Sequence, residues 1–210
     1  MIKSVSFFSE IKSSYSYDEY RALVFKCAQD QTTTGKEQLP ERIEATKINA
    51  QRMKRIDKQT KIVPAVEEIL KRLEVGWIWL ILTEAWCGDS AQNIPVISKI
   101  AESSPNIELK LILRDENPDI MNAYLTDGSR SIPKLVCINS KTKEEVGVWG
   151  PRPLAIKQMV KDYKQEHPTA SHDEFVKNLH LWYAHDKGES IQAEFVQMIP
   201  QWISKSQRDL

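Results

Sequence analysis

Cysteine is scarce in this chain: there are three, Cys27, Cys87 and Cys137, in 210 residues. That number makes no disulfide framework and fits a reducing compartment. A charge of one sign is missing too. Lys+Arg and Asp+Glu each number 29, so the formal net charge is zero. No basic surplus argues for nucleic acid, and no single-sign run argues for an interaction tail. Long apolar runs are also absent. The longest covers residues 75–82, far short of the roughly 20 residues needed to cross a bilayer. The opening, Met1 to Glu10, has no apolar core of signal-peptide length. There is no internal repeat and no low-complexity tract. These absences lead to the expectation of a cytoplasmic protein with neither nucleic acid nor membrane as a partner.

What is present is ample material for a core, with 41% hydrophobic residues. Ser16-Tyr17-Asp18-Glu19 is a capping-box pattern opening a helix through Tyr20, Leu23, Val24 and Cys27. Pro40 starts a second, highly charged helix through Ile43, Ile48, Met53 and Ile56. Residues 1–60 thus read as an N-terminal helical hairpin. Pro64 opens a further helix. An apolar strand over 75–82 comes next, followed by a turn containing Cys87 and a helix from Ala91 to Glu102. Residues 107–113 and 134–138 read as strands, with a short helix through Ile120 and Ala123 between them. A fourth strand, 145–149, follows a polar turn short enough to require an antiparallel hairpin. A helix over about 154–165 closes this part. This alternation indicates an α/β sheet with helices on both faces, over residues 61–167. Ser171-His172-Asp173-Glu174 is a second capping box. It opens a C-terminal helical extension over 168–210, packed on the domain and broken at Gly188.

The chemistry points to Trp86-Cys87-Gly88-Asp89-Ser90. A cysteine between a buried strand and a helix meets unpaired backbone N–H groups and the positive end of the helix dipole. Both favour the thiolate, the reactive form. Three residues on stands Ser90, whose hydroxyl either donates to that thiolate or caps exposed backbone. Asp89 either suits the first helical turn or makes the thiol less acidic. Cys27 and Cys137 sit on apolar faces and read as inert core thiols. His180 and His185 are five apart, a poor fit to one helical face, and no metal site is expected. Arg114-Asp115-Glu116, at the carboxyl end of a strand, reads as a solvated loop or as a polar pocket near the cysteine.

These residues resemble the thioredoxin family. Trp86-Cys87-Gly88 matches the family's Trp-Cys-Gly, between the expected strand and helix. Ser131-Ile132-Pro133 precedes the third strand, where the family places an Ile-Pro bond, usually cis, against the active-site cysteine. Gly150 suits the family's glycine after the hairpin. The likeness is to bacterial thioredoxin-like proteins that carry Trp-Cys-Gly-Asp. It implies a central mixed four-stranded sheet flanked by helices, with the two helical extensions added. It also implies Cys87 and Ser90 as catalytic residues, with Trp86, Ile132, Pro133 and Arg130 shaping the substrate groove. Arg130 and Lys134, flanking the turn, are then placed to hold an anionic group such as a glutathione carboxylate. Two departures matter. Ser90 replaces the resolving cysteine, and Ile81 stands where many thioredoxins bury an acid. A serine forms no disulfide, so an external thiol such as glutathione must release the product. The expectation is a monothiol thiol–disulfide oxidoreductase with no resident cofactor, acting on protein or small-molecule disulfides. The alternative is a non-catalytic thioredoxin-fold binding module, its extra helices forming a partner or homodimer surface. A thiol peroxidase passing through a Cys87 sulfenic acid has no specific motif in its favour.

Overall fold

The computed structural model describes residue 11 and residues 13–207. The opening ten residues, where the sequence shows no signal-peptide core, lie outside them. In chain order the elements are α1 (Tyr17–Gln29), α2 (Pro40–Gln59), α3 (Pro64–Leu70), β1 (Trp77–Thr83), α4 (Gly88–Glu102) and β2 (Ile107–Leu113). These are followed by α5 (Pro118–Ala123), β3 (Lys134–Asn139), β4 (Glu145–Trp149), α6 (Leu154–Glu166), α7 (His172–Asp186) and α8 (Glu189–Gln207). The two capping boxes form as read. Glu19 N–H donates to Ser16 Oγ at 3.3 Å while Ser16 N–H donates back to Glu19 at 2.7 Å. Glu174 and Ser171 repeat the exchange at 3.2 and 2.9 Å. Pro40 and Pro64 each occupy a first helical turn, where a missing N–H costs nothing.

The four strands lie in the order β2-β1-β3-β4, with β1 parallel to β2 and antiparallel to β3. The β3–β4 hairpin is antiparallel, with a register shift between Cys137 and Ile138. β1 is interior and has both faces covered, so its Trp-Ile-Trp-Leu-Ile-Leu run is buried throughout, which explains an apolar run without alternation. On the outer edge of β2, Tyr15 and Leu111 exchange backbone hydrogen bonds at 2.8 Å.

One face of the sheet presents Trp77, Trp79, Ile81, Leu135 and Trp149 to α1, α2, α4 and α8. The other presents Ile78, Leu80, Leu82, Val136 and Ile138 to Ile120 and Met121 of α5 and to Ile132. α8 crosses the first face, where Phe195 and Trp202 pack among the sheet's tryptophans. Ring centroids are 6.1 Å apart for Trp77–Trp202, 6.3 Å for Trp79–Trp202 and 5.3 Å for Trp79–Phe195. Gly147 of β4 is what lets the Trp202 indole approach the strand, because a Cβ there would overlap it. Polar ties fix the same helix. Trp77 Nε1 donates to Ser206 Oγ at 2.9 Å, and Val63 N–H donates to Gln192 Oε1 at 2.9 Å. α6 and α7 share a separate small cluster of Ile156, Leu179 and Tyr183. No helix among the described residues is long and apolar enough to cross a membrane.

Candidate active site

β1 ends at Thr83, and the chain turns through Glu84-Ala85-Trp86 into α4. The helix begins at Gly88, three residues before the apolar periodicity starts, because Cys87 itself is the N-cap. Its Sγ accepts the Ser90 N–H at 3.4 Å, as a serine or threonine oxygen does in an ordinary cap. The thiol donates to the carbonyl of Ile132 at 3.3 Å. The Ile132–Pro133 bond is cis. The structure therefore brings Cys87, Ser90, Ile132 and Pro133 to one point. Cys87 is only 8% exposed.

The thiol's electrostatics run opposite to the expectation from its helix-start position. Burial pushes Cys87 up to about 11, and the Asp89 carboxylate adds to the rise. The Ser90 hydroxyl and the N–H groups of Ser90 and Asp89 pull the other way and are outweighed. Ser90 is 1% exposed, and its hydroxyl completes no hydrogen bond of good geometry among the described residues. It remains free to donate to a thiolate once one forms. Cys27 and Cys137 are buried free thiols, both pushed up chiefly by burial.

Asp89 is held from above. Arg152, on the loop before α6, donates to its Oδ2 through Nε at 2.7 Å and Nη2 at 2.6 Å. Tyr183 of α7 donates to Oδ1 at 2.9 Å, and Asn93 donates to the Tyr183 oxygen at 2.9 Å. α7 thus covers the start of α4. At Gly88 the cover is so close that a Cβ would meet His180 Cε1 at 2.9 Å. Trp86, half-buried, is stacked between two guanidiniums, Arg42 at 4.5 Å and Arg114 at 4.7 Å from ring centroids. Arg114 therefore belongs to the Trp86 wall, not to an open loop. Arg130 is turned to α5, its Nε donating to Asn122 Oδ1 at 2.9 Å. Lys134 is buried and its ammonium donates to Thr126. Among the described residues neither side chain hydrogen-bonds the thiol or the Ile132–Pro133 turn.

Sequence reasoning passes over Glu84, which is fully buried at the end of β1. Its carboxylate accepts the Thr34 hydroxyl and, at 2.8 Å, the Asp115 N–H. Thr34 in turn accepts the Ala85 N–H at 2.8 Å. This network pins the α1–α2 loop to the turn that carries Trp86 and Cys87. The available signal is an acid directly following an apolar strand. Burial raises the Glu84 carboxyl above its ordinary 4.5, with the Thr34 and Asp115 donors opposing. From 4.5 up to the raised folded value, the folded state keeps a proton that the unfolded chain releases. Stability contributed by this group is therefore full below 4.5 and falls as pH rises through that window. Glu84→Gln is expected to flatten the decline. A thermal-unfolding series across the window checks it, and an unchanged slope would assign the decline to other groups.

A mixed sheet whose first strand delivers a cysteine to the start of a long helix, opposite an X-cis-Pro turn, defines a class of α/β thiol proteins. The chain belongs to the thioredoxin family: the family profile described as Thioredoxin matches residues 36–164, from the loop before α2 into α6. Two solved structures share the fold. One is an HIV epitope-scaffold, 19% identical, with a TM-score of 0.52 over 89% of this chain and 98% of that one. The other is a protein of unknown function from Pseudomonas aeruginosa, 20% identical, with a TM-score of 0.53 and the same coverages. No curated protein matches the chain.

Proposed function

We propose that this protein is a monothiol thiol–disulfide oxidoreductase acting through Cys87. The observation that carries the reading is the placement of one sulfur between the Ser90 N–H and the Ile132 carbonyl of the cis-proline turn. In the forward step the Cys87 thiolate attacks a disulfide R–S–S–R′. The Cys87–S–R bond forms as the S–S bond breaks, and R′–S⁻ leaves and takes up a proton. Ser90 brings no second sulfur, so an external thiol such as glutathione attacks the mixed disulfide. It is oxidised to a new disulfide with R, and Cys87 returns as a thiol. The Ser90 hydroxyl holds the thiolate in both directions. Trp86, Ile132 and Pro133 form the groove walls.

The test is mass spectrometry of the full chain with glutathione disulfide at mildly alkaline pH. One glutathione adduct is expected on Cys87, removed by reduced glutathione and absent in Cys87→Ser. Ser90→Cys is expected to replace the adduct with an internal disulfide. Adducts confined to Cys27 or Cys137 would sink the reading. One observation favours a second reading, a thioredoxin-fold binding module with an incidental cysteine: the thiol is buried and held protonated. No adduct in the native protein, together with modification of the unfolded chain, would decide for the module.

A further inference from the structure

α2 and α7 face each other across the start of α4, and between them lies a wide, open cleft of about 440 Å³, a volume within the range of small-molecule sites. Its walls carry Arg52 and Arg55 from α2 and Lys177 and His180 from α7. We propose that this cleft binds the oxyanion group of a small molecule, a phosphate or a carboxylate, through Arg52, Arg55 and Lys177.

The charges in the cleft are unbalanced. Three guanidiniums act on His180: those of Arg52, Arg152 and Arg55. Among the described residues only Arg152 has a carboxylate partner, Asp89. Arg52, Arg55 and Lys177 have no acid within the 4.0 Å of an ion pair there, although Asp173 stands on the cavity wall. Among the described residues the one hydrogen bond of the Arg52 side chain goes to a neutral group, Asn49 Oδ1, at 2.9 Å. Burial and the neighbouring Arg55 charge lower Arg52 to about 10 against an opposing pull from the Asp89 carboxylate, and burial with Arg52, Arg152 and Arg55 lowers His180 to about 4. A partly buried guanidinium beside a second cation, as Arg52 is beside the exposed Arg55, is costly when alone and favourable around an anion.

The neutral donors are placed to assist. Gln92 Nε2 lies 3.2 Å from His180 Nδ1. With Gln92 donating there, the neutral imidazole keeps its proton on Nε2 and turns a second donor to the cleft. Beside the cleft, a Cβ on Gly88 would meet that Nε2 at 3.2 Å and Arg52 Nη1 at 3.5 Å, so both groups come close to each other at the first residue of α4. Two forked guanidiniums and an ammonium suit a multidentate oxyanion better than a halide. The cleft is built from α2 and α7 on either side of α4, and no step of the thiol chemistry uses it.

Calorimetric titration of the full chain tests this, with inorganic phosphate and citrate as separate probes at fixed ionic strength. Saturable binding of at least one probe is expected. Arg55→Ala and Lys177→Ala, both at exposed positions, should each weaken it at least about tenfold, or 1.4 kcal/mol. Lys54→Ala, an exposed residue of α2 outside the cavity lining, should leave it unchanged. Binding of phosphate alone assigns a phosphorylated ligand, and binding of citrate alone assigns a carboxylate. Binding of both assigns a general oxyanion site. Cys87→Ser should bind like the wild type, which separates this site from the thiol reading. Failure of both probes to saturate with a Kd below about 1 mM would overturn the proposal. So would losses equal to that of Lys54→Ala.

Discussion

Trp202→Ala is expected to destabilise the fold by about 3–5 kcal/mol. The indole is the keystone between α8 and the sheet. It makes edge contacts with Trp77, Trp79 and Phe195 at centroid distances of 6.1, 6.3 and 6.1 Å. Removing it leaves a cavity floored by Gly147, and the surrounding rings are too rigid to collapse into it. Urea unfolding measures the loss as a lower midpoint at constant slope. The reciprocal change gives a sharper check. Gly147→Ala forces a methyl into the Trp202 ring and should cost about 1–3 kcal/mol in the wild type. In the Trp202→Ala background that methyl enters the space the indole vacated, and the cost should largely disappear. Strict additivity in this double-mutant cycle would show that the two residues do not share the contact described.

Asp89→Asn is expected to make Cys87 markedly more reactive. The thiol sits at about 11 because of burial first and the Asp89 carboxylate second. The amide removes the second cause and keeps the shape. It also deprives Arg152 of its carboxylate, leaving an uncancelled guanidinium that already interacts with the thiolate. Both changes favour the charged form, so the pKa moves down. At a pH below both values, each unit of fall multiplies the thiolate fraction by about ten. The pH profile of Cys87 alkylation, read in a Cys27→Ala, Cys137→Ala background, measures this. Ser90→Ala removes a hydroxyl that lowers the pKa and should move the profile the other way. A profile unmoved by Asp89→Asn would leave burial as the sole cause.

Much of the fold was legible because its signals are local. Ile107–Leu113 and Glu145–Trp149 form strands at the predicted bounds, and both capping boxes close between residues three apart. Trp86-Cys87-Gly88 and Ile132-Pro133 are short motifs, and the structure brings them together. The start of α4 was less legible, since a sulfur cap and three small or polar residues carry no apolar periodicity. The environment of the thiol was not legible at all. Arg152 and Tyr183 reach Asp89 across 63 and 94 residues of sequence, and His180 reaches Gln92 across 88. Dipole arguments at a helix start are local, whereas the burial that reverses them is assembled by distant helices. Arg130 shows the same limit: its place beside the cis-proline turn is plain in the sequence, while the hydrogen bond of its side chain to Asn122 of α5 is not.

The cover over Gly88 also has a place in time. The strand, the cysteine, the proline turn and the hairpin all precede residues 172–186 in the chain, and synthesis runs in that order. While the ribosome is still making α7, neither His180 nor Tyr183 exists to sit over α4. Each newly made molecule therefore passes through an interval in which Gly88 lacks its His180 cover and Asp89 lacks its Tyr183 donor, with Arg152 alone on the carboxylate. A reagent added to nascent chains that stop before α7 would therefore meet a different site from the one it meets on the finished protein.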